Sequence, residues 1–248
     1  MKLLDKVAIV TGGGRGIGRV ICLTLAQAGA DVLVADIDKA SAQAVAAEVT
    51  ALKRNGLAFE VDVTEKLAVE AMMEVCESQL GGLNILVNNA GIFPIAPVAT
   101  MTENEWDRVM SINLKSVFLC SQAALGPMRR SGDGRIINMA SVSGLVGAVG
   151  FGHYAASKAG VIGFSRSLAR EVGTMGITVN TIAPGIVDTE TAIQTFPKFA
   201  LDQYLTQVPL HRLTTPADVA ELVLFIASPG AAYITGQTYA VDGGYTMR

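Results

Sequence analysis

Ser141 to Lys158 reads SVSGLVGAVGFGHYAASK: a serine, an uncharged glycine-rich span, then Tyr154 with Lys158 four residues further on. On a helix, positions i and i+4 share a face, so the phenol and the amine point the same way. A cation beside a phenol favours the phenolate and lowers its pKa from about 10, which turns a tyrosine into a proton carrier near neutral pH. Such pairs also occur on ordinary amphipathic helices. The pair therefore gains meaning only from what the rest of the chain supplies.

The turn Thr11 to Gly18, TGGGRGIG, stands between an apolar β-branched run (Lys6 to Thr11) and a helical stretch that begins near Arg19. That position suits a nucleotide diphosphate. Glycines let the backbone approach phosphates, and a helix N-terminus offers free N–H groups and a partial positive charge. Gly12, Gly16 and Gly18 carry the turn with Arg15 and Ile17 between them, a spacing that departs from G-x-G-x-x-G. Asp36 ends the second apolar run, 18 residues after Gly18. An acid there accepts both hydroxyls of an adenosine ribose and repels a 2′-phosphate, whereas Arg15 could receive that phosphate. NAD is expected ahead of NADP.

To place these residues the chain needs alternating elements, and it has them. Apolar runs at Asp31 to Ala35, Leu57 to Val61, Asn84 to Val87, Arg135 to Met139 and Thr178 to Ile182 read as strands. Helical stretches at Lys39 to Arg54, Glu65 to Gln79, Thr102 to about Leu125 and Tyr154 to Val172 separate them. The alternation predicts an α/β fold, a doubly wound parallel sheet of the Rossmann type with helices on both faces. No linker or shift in composition divides the chain. Residues 1–248 read as one dinucleotide-binding and catalytic domain, with a long irregular substrate-loop insertion at about 186–208.

Composition excludes several classes. The chain has 248 residues, half of them apolar and 17% charged, enough for a large buried core. A net charge of −3 and a pI near 5.4 give no basic field for nucleic acid. The longest uncharged run, Ile136 to Ser157, is broken by Asn138, serines, His153 and glycines, so no membrane span is expected. The opening MKLLDKVAIV is too short and too soon acidic for a signal peptide. Cys22, Cys76 and Cys120 are odd in number and widely spaced, as reduced thiols of a cytoplasmic protein would be. His153 and His211 have no clustered partners, so no metal site is expected, and His153 reads as structural.

Taken together, Thr11-Gly-x-x-x-Gly16-x-Gly18, Asn88-Asn89-Ala90-Gly91, Asn113, Ser141, Tyr154-x-x-x-Lys158, Pro184-Gly185 and the closing Val241-Asp-Gly-Gly resemble the short-chain dehydrogenase/reductase family in its one-domain form. The resemblance covers nearly the whole chain in order, and the 13 residues from Ser141 to Tyr154 match the family's usual interval. It implies that Tyr154 is the general acid/base and that Lys158 lowers its pKa and bonds the nicotinamide ribose. Ser141 would bond the substrate oxygen, with Ser143 as a nearby rival, and Asn113 would bend its helix and hold a water that links Lys158 to solvent. The same resemblance puts Asp62 and Val63 at the adenine and Asn89, Ala90 and Gly91 under its ribose. It also turns Pro184, Gly185 and Val187 toward the nicotinamide carboxamide, with Thr189 close by. Family members are mostly homotetramers.

The expected pocket walls are apolar: Phe93, Pro94, Ile95, Val142, Leu145, Val146, Phe151, and Ile193, Phe196 and Phe199 of the insertion. Lys198 is the one cation among them. An uncharged, fairly apolar secondary alcohol or ketone is therefore the expected small-molecule substrate. Two subgroups compete. Ile92-Phe93-Pro94 and Glu105-Trp106 look like NAD-dependent alcohol dehydrogenases such as 1-phenylethanol dehydrogenase, the reading placed first. The SLAREVGTMGITVN and AAYITGQT stretches look like 3-oxoacyl-[acyl-carrier-protein] reductases, which usually prefer NADP and often carry a base where Met175 stands. A dinucleotide-binding module without catalysis would lack one or more of Asn113, Ser141, Tyr154 and Lys158, and all four are present.

Overall fold

The computed structural model describes residues 2–247. Seven strands form one sheet: β1 (Val7–Thr11), β2 (Asp31–Asp36), β3 (Gly56–Glu60), β4 (Ile85–Asn88), β5 (Gly134–Met139), β6 (Ile177–Pro184) and β7 (Thr238–Val241). Their order is β3-β2-β1-β4-β5-β6-β7, and every pair is parallel. β1 lies between β2 and β4, so the chain winds outward in both directions from it. The crevice beyond the C-terminal end of β1 is where such sheets receive ligands.

The strands read as unbroken apolar runs because both faces of the sheet are covered. Ala8 and Val10 of β1 point to one side, where α1 (Gly16–Gln27), α2 (Lys39–Ala51) and α10 (Pro216–Ala227) bring Ile21, Leu25, Val45 and Val223. Ile9 points to the other, against α3 (Lys66–Leu80), α5 (Ser116–Ser131) and α7 (Gly152–Val172), which supply Met72, Cys120, Ala124 and Leu168. Among the described residues no helix is long and apolar enough to cross a membrane.

Three expectations change in detail. The helix after the glycine turn starts at Gly16 rather than Arg19, so the turn and the first helical amides are one structure. The single helix expected over 102–125 is three pieces: α4 (Glu103–Met110), a five-residue π-helical turn Ser111–Lys115, and α5. The insertion at 186–208 is not irregular but contains α8 (Glu190–Thr195) and α9 (Lys198–Leu205). Thr189 caps the first of these by accepting the Ala192 amide, and Pro197 precedes the second.

A chain of buried polar side chains ties the sheet to the helices that carry the site. Asn88 and Asn138 sit opposite each other on β4 and β5. The Asn88 side-chain amide donates to Asn138 Oδ1 at 2.8 Å and to Ser121 Oγ of α5 at 3.1 Å. Asn138 in turn donates to Ser165 Oγ of α7 at 2.8 Å, and the Ser165 hydroxyl donates to the Val161 carbonyl at 2.7 Å. Each side chain is buried, so deleting one strands its partners without water. Asn138→Ala is expected to lower the unfolding free energy in urea by about 2–3 kcal/mol, well above a surface substitution. A loss near zero would show that the network carries no stability.

Candidate active site

The ends of β4, β5 and β6 at Asn88, Met139 and Pro184 define the floor on which the expected chemistry gathers. The Lys158 amine, buried in α7, donates to the Met139 carbonyl at 2.7 Å and lies 5.8 Å from the centre of the Tyr154 ring. Of the two serines it is Ser141 that acts on the Tyr154 phenol, favouring its ionised form. Ser141 Oγ also accepts the Ser143 amide at 3.1 Å, which fixes the short helix α6 (Ser143–Val146) beside the site.

Asn113 closes the group from below. It stands in the π turn between α4 and α5, fully buried, and behaves like a piece of backbone. Its Oδ1 accepts the Ile92 amide at 2.8 Å and its Nδ2 donates to the Ile92 carbonyl at 2.8 Å, a reciprocal pair. Nδ2 also reaches Ser157 Oγ at 3.3 Å, and the Ser157 hydroxyl donates to the Tyr154 carbonyl at 2.7 Å. Gly91 lies against this cluster; a Cβ there would be 3.2 Å from Asn113 Oδ1 and 3.5 Å from Lys158 Nζ.

One expectation is reversed by this geometry. The phenol of Tyr154 is raised rather than lowered, because burial penalises the phenolate more than the Ser141 hydrogen bond favours it. Burial likewise pushes the Lys158 amine down, to about 8. With a single carbonyl as partner, the amine is disfavoured in its charged form, and its cationic influence on the phenol shrinks accordingly.

The residues expected to hold a dinucleotide line the crevice beyond β1. Gly12 and Gly16 have φ of +62° and +53°, the region in which side chains other than glycine are strained. A Cβ at Gly18 would overlap the Gly12 carbonyl, so α1 packs directly on the turn. Ile17 packs its side chain on the core beneath α1. The first turn of α1 has no side-chain cap and no acid, and a Cβ at Gly16 would meet only the Thr189 methyl group, at 3.8 Å. Its amides thus face open space of the kind an anion fills. Asp36 accepts the Gly14 amide through Oδ2 at 2.9 Å and the Asp38 amide through Oδ1 at 3.1 Å, so its carboxylate is fixed at the rim. Arg15 is exposed, near enough to Asp38 to favour that carboxylate's charge. These residues fit a dinucleotide.

The remaining positions are placed as follows. Asp62 is exposed and accepts the Thr64 amide and hydroxyl at 2.9 and 2.7 Å, and Val63 is buried. Asn89 donates from Nδ2 to the Thr11 and Gly12 carbonyls, each at 3.0 Å, so its side chain braces the glycine turn. Ala90 follows with its amide on Thr11 Oγ1 at 3.1 Å. Beyond Pro184, the Gly185 amide donates to the Val241 carbonyl and the Ile186 amide to Tyr204 Oη, while Val187 is buried and bridges to Thr214. Sequence reasoning missed Ser157, and it took Thr11 only as the start of the glycine turn. Ser157 was findable, since three residues after Tyr154 it shares the same helix face.

Aromatic rings wall the space beside the phenol. Phe93 and Phe151 meet Tyr154 edge-on with ring centres 6.1 Å away in each case, and Phe196 lies 5.7 Å from Phe151. Lys198, Ile193 and Phe199 are exposed.

A family profile described as Enoyl-(Acyl carrier protein) reductase, of the short-chain dehydrogenase type, matches residues 12–246. The chain belongs to the short-chain dehydrogenase/reductase family. Relatives include a protein named 3-oxoacyl-[acyl-carrier-protein] reductase FabG from Vibrio cholerae, 45% identical over all of both chains. A protein of the same name from Staphylococcus aureus is 45% identical over 98% of this chain and 99% of its own, and one from Escherichia coli K12 is 42% identical over all of both. A crystal structure described as a candidate short-chain alcohol dehydrogenase from Sinorhizobium meliloti 1021 superposes with a TM-score of 0.95 at 36% identity, covering 99% of this chain and 98% of that one. As a member of this family the protein is an oxidoreductase that works with NAD(H) or NADP(H).

The depressed amine gives a measurable consequence in the cofactor-free protein. Below about pH 8 the buried ammonium destabilises the fold in full; between about 8 and 10.5 the folded chain has released a proton that the unfolded chain still holds. Stability therefore rises with pH across that window. The difference in unfolding free energy between wild type and Lys158→Met should move in wild type's favour as the pH is raised from about 7 to 10. Parallel pH profiles would show that Lys158 is not buried as a destabilised cation.

Proposed function

We propose that the protein interconverts a ketone and a secondary alcohol, with Tyr154 moving the hydroxyl proton and Ser141 holding the reacting oxygen. The observation that carries this reading is the buried Lys158 amine, held on the Met139 carbonyl 5.8 Å from the centre of the Tyr154 ring, with Ser141 acting on the same phenol. A bound nicotinamide would supply the hydride donor or acceptor. Gly12, Gly16, Gly18 and Asp36 would hold its adenosine diphosphate end, Asp62, Val63, Asn89, Ala90 and Gly91 would lie along it, and Pro184, Gly185, Val187 and Thr189 would flank the other end. Lys158 would trade the Met139 carbonyl for ribose hydroxyls, and Asn113 would keep the floor in place. A non-catalytic binding module has no use for this constellation.

For the substrate, the relatives named 3-oxoacyl-[acyl-carrier-protein] reductase, identical at 45% along the full chain, support reduction of a 3-oxoacyl thioester. A second reading, an NAD-linked dehydrogenase of apolar secondary alcohols, is favoured by the Phe93, Phe151 and Phe196 wall and the exposed Met175. Asp36 favours NAD(H) over NADP(H) under either reading, since its fixed charge sits where a 2′-phosphate would come. The three buried, unpaired cysteines are in keeping with work in the cytoplasm.

Tyr154→Phe is expected to lower kcat by about 10²–10⁴-fold while leaving cofactor binding intact. Initial rates for acetoacetyl-thioester reduction should be compared with oxidation of 1-phenylethanol and aliphatic secondary alcohols, each with NAD(H) and NADP(H). Faster thioester reduction supports the first substrate reading, faster alcohol oxidation the second, and a strong preference for NADP(H) would overturn the role given to Asp36. Parental turnover in Tyr154→Phe would remove the mechanism altogether.

Two surfaces suit assembly into a homotetramer. A groove of about 590 Å³ between α4, the π turn, α5 and α7 exposes Phe118 and is flanked by Asp107 and Lys115, charges that a two-fold axis would pair. On the other face of the sheet Phe225 of α10 is exposed, and β7 leaves one edge of the sheet unpaired among the described residues. Sedimentation velocity should give a mass four times that of the chain; a monomer at micromolar concentration would rule the assembly out.

A further inference from the structure

Tyr154 stands third in α7, in the turn of a helix where backbone amides have no carbonyl four residues back. An N-cap side chain ordinarily accepts the amide of that third residue. Here the N-cap is Phe151, which has no acceptor and spends its own amide on the Ala148 carbonyl at 3.2 Å. The missing acceptor comes from inside the helix instead. His153 Nδ1 accepts the Tyr154 amide at 2.9 Å.

We propose that His153 is a positioning residue for catalysis, holding the Tyr154 amide through an unprotonated Nδ1 so that the phenol meets Ser141 and the substrate oxygen in one fixed place. The inference rests on the reading of Tyr154 as proton carrier. Two features of the structure carry it. The first is that both polar backbone groups of Tyr154 are then held by side chains: the amide by His153, the carbonyl by the Ser157 hydroxyl, itself tied to Asn113. Residue 154 is clamped at both ends in a helical turn that would otherwise fray. The second is the cost of the arrangement. With Nδ1 accepting, the ring proton belongs to Nε2, and that atom is fully buried with no hydrogen-bond partner among the described residues. A ring that served only as packing would be better replaced by a hydrocarbon.

The charged group that faces the ring from the neighbouring helix is Glu105 of α4. Its carboxylate is already engaged, accepting the Thr102 amide and hydroxyl at 2.8 Å each. It therefore leaves Nδ1 to the Tyr154 amide.

The geometry distinguishes close variants. Asn places an amide oxygen where the histidine has Nδ1, whereas Gln places its polar group at the ε position and Ala has none. His153→Asn should keep kcat within about twofold of wild type. His153→Gln and His153→Ala should each lose about tenfold in kcat, with KM for the nicotinamide cofactor changed less than twofold, since the crevice beyond β1 is untouched. Equal kcat in the Asn and Gln variants would overturn the proposal. A second measurement needs no variant: the chain has only two histidines, so ¹⁵N-histidine correlation spectra assign them directly. They should show His153 neutral with its proton on Nε2; a proton on Nδ1 overturns the proposal whatever the kinetics. Tyr154→Phe run in parallel separates the two levels. If that variant is inactive while the histidine variants behave alike, the positioning role fails and the proton-carrier reading stands. If it turns over at the parental rate, the reading beneath the proposal is at fault.

Discussion

Asn113 offers a side-chain amide where the helix has relinquished backbone hydrogen bonds of the ordinary spacing, and the site is assembled on that substitution. Through one amide it pairs with both polar groups of Ile92, which fixes the strand-end segment after β4, and it reaches Ser157, which fixes the carbonyl of Tyr154. Three stretches far apart in sequence are thereby held against one fully buried group. A buried amide with all these bonds made is rigid, and with any of them missing it is destabilising, so the arrangement tolerates little intermediate occupancy. The phenol and the amine, both carried on α7, are tied to it through Ser157.

The electrostatics of the site make sense only as a state prepared for a ligand. Burial works against charge on both Tyr154 and Lys158, and the partners present, one hydroxyl and one carbonyl, do not compensate. A site poised this way holds its proton until further dipoles and charge arrive. The crevice beyond β1, with its uncapped helix end and its fixed acid at Asp36, is where they would come from.

Much of this was legible in the residues. Alternating apolar runs and helical stretches predicted the parallel sheet, because a strand covered on both faces must be apolar throughout. Tyr154 and Lys158 announced themselves by helical spacing, and the glycine turn by its place between strand and helix. What was hidden depends on contacts between distant segments. The rise of the Tyr154 phenol follows from burial, which spacing does not report. The use of Asn89 to brace the turn, and of Thr11 to receive the Asn89 and Ala90 amides, requires β1 and β4 to be neighbours. His153 was read as structural because its ring leaves the helix at a different angle from the phenol; the bond that matters runs through the backbone. The two helices of the insertion escaped notice because each is short, eight residues or fewer, and too brief to show a period.

The π turn at Ser111–Lys115 has a further effect on shape. Such a turn holds one residue more than an α turn, and each residue advances a helix by about 100°. The two halves of the run from Glu103 to Ser131 thus present different sides, like two lobes set at an angle on one shaft. The forward half leans on α7 and the rear half on α3. One residue removed between them would bring the lobes into phase and swing the Cys120, Ala124 and Met128 stripe off the sheet. The extra residue that frees Asn113 for the site is also what lets one helix serve two neighbours.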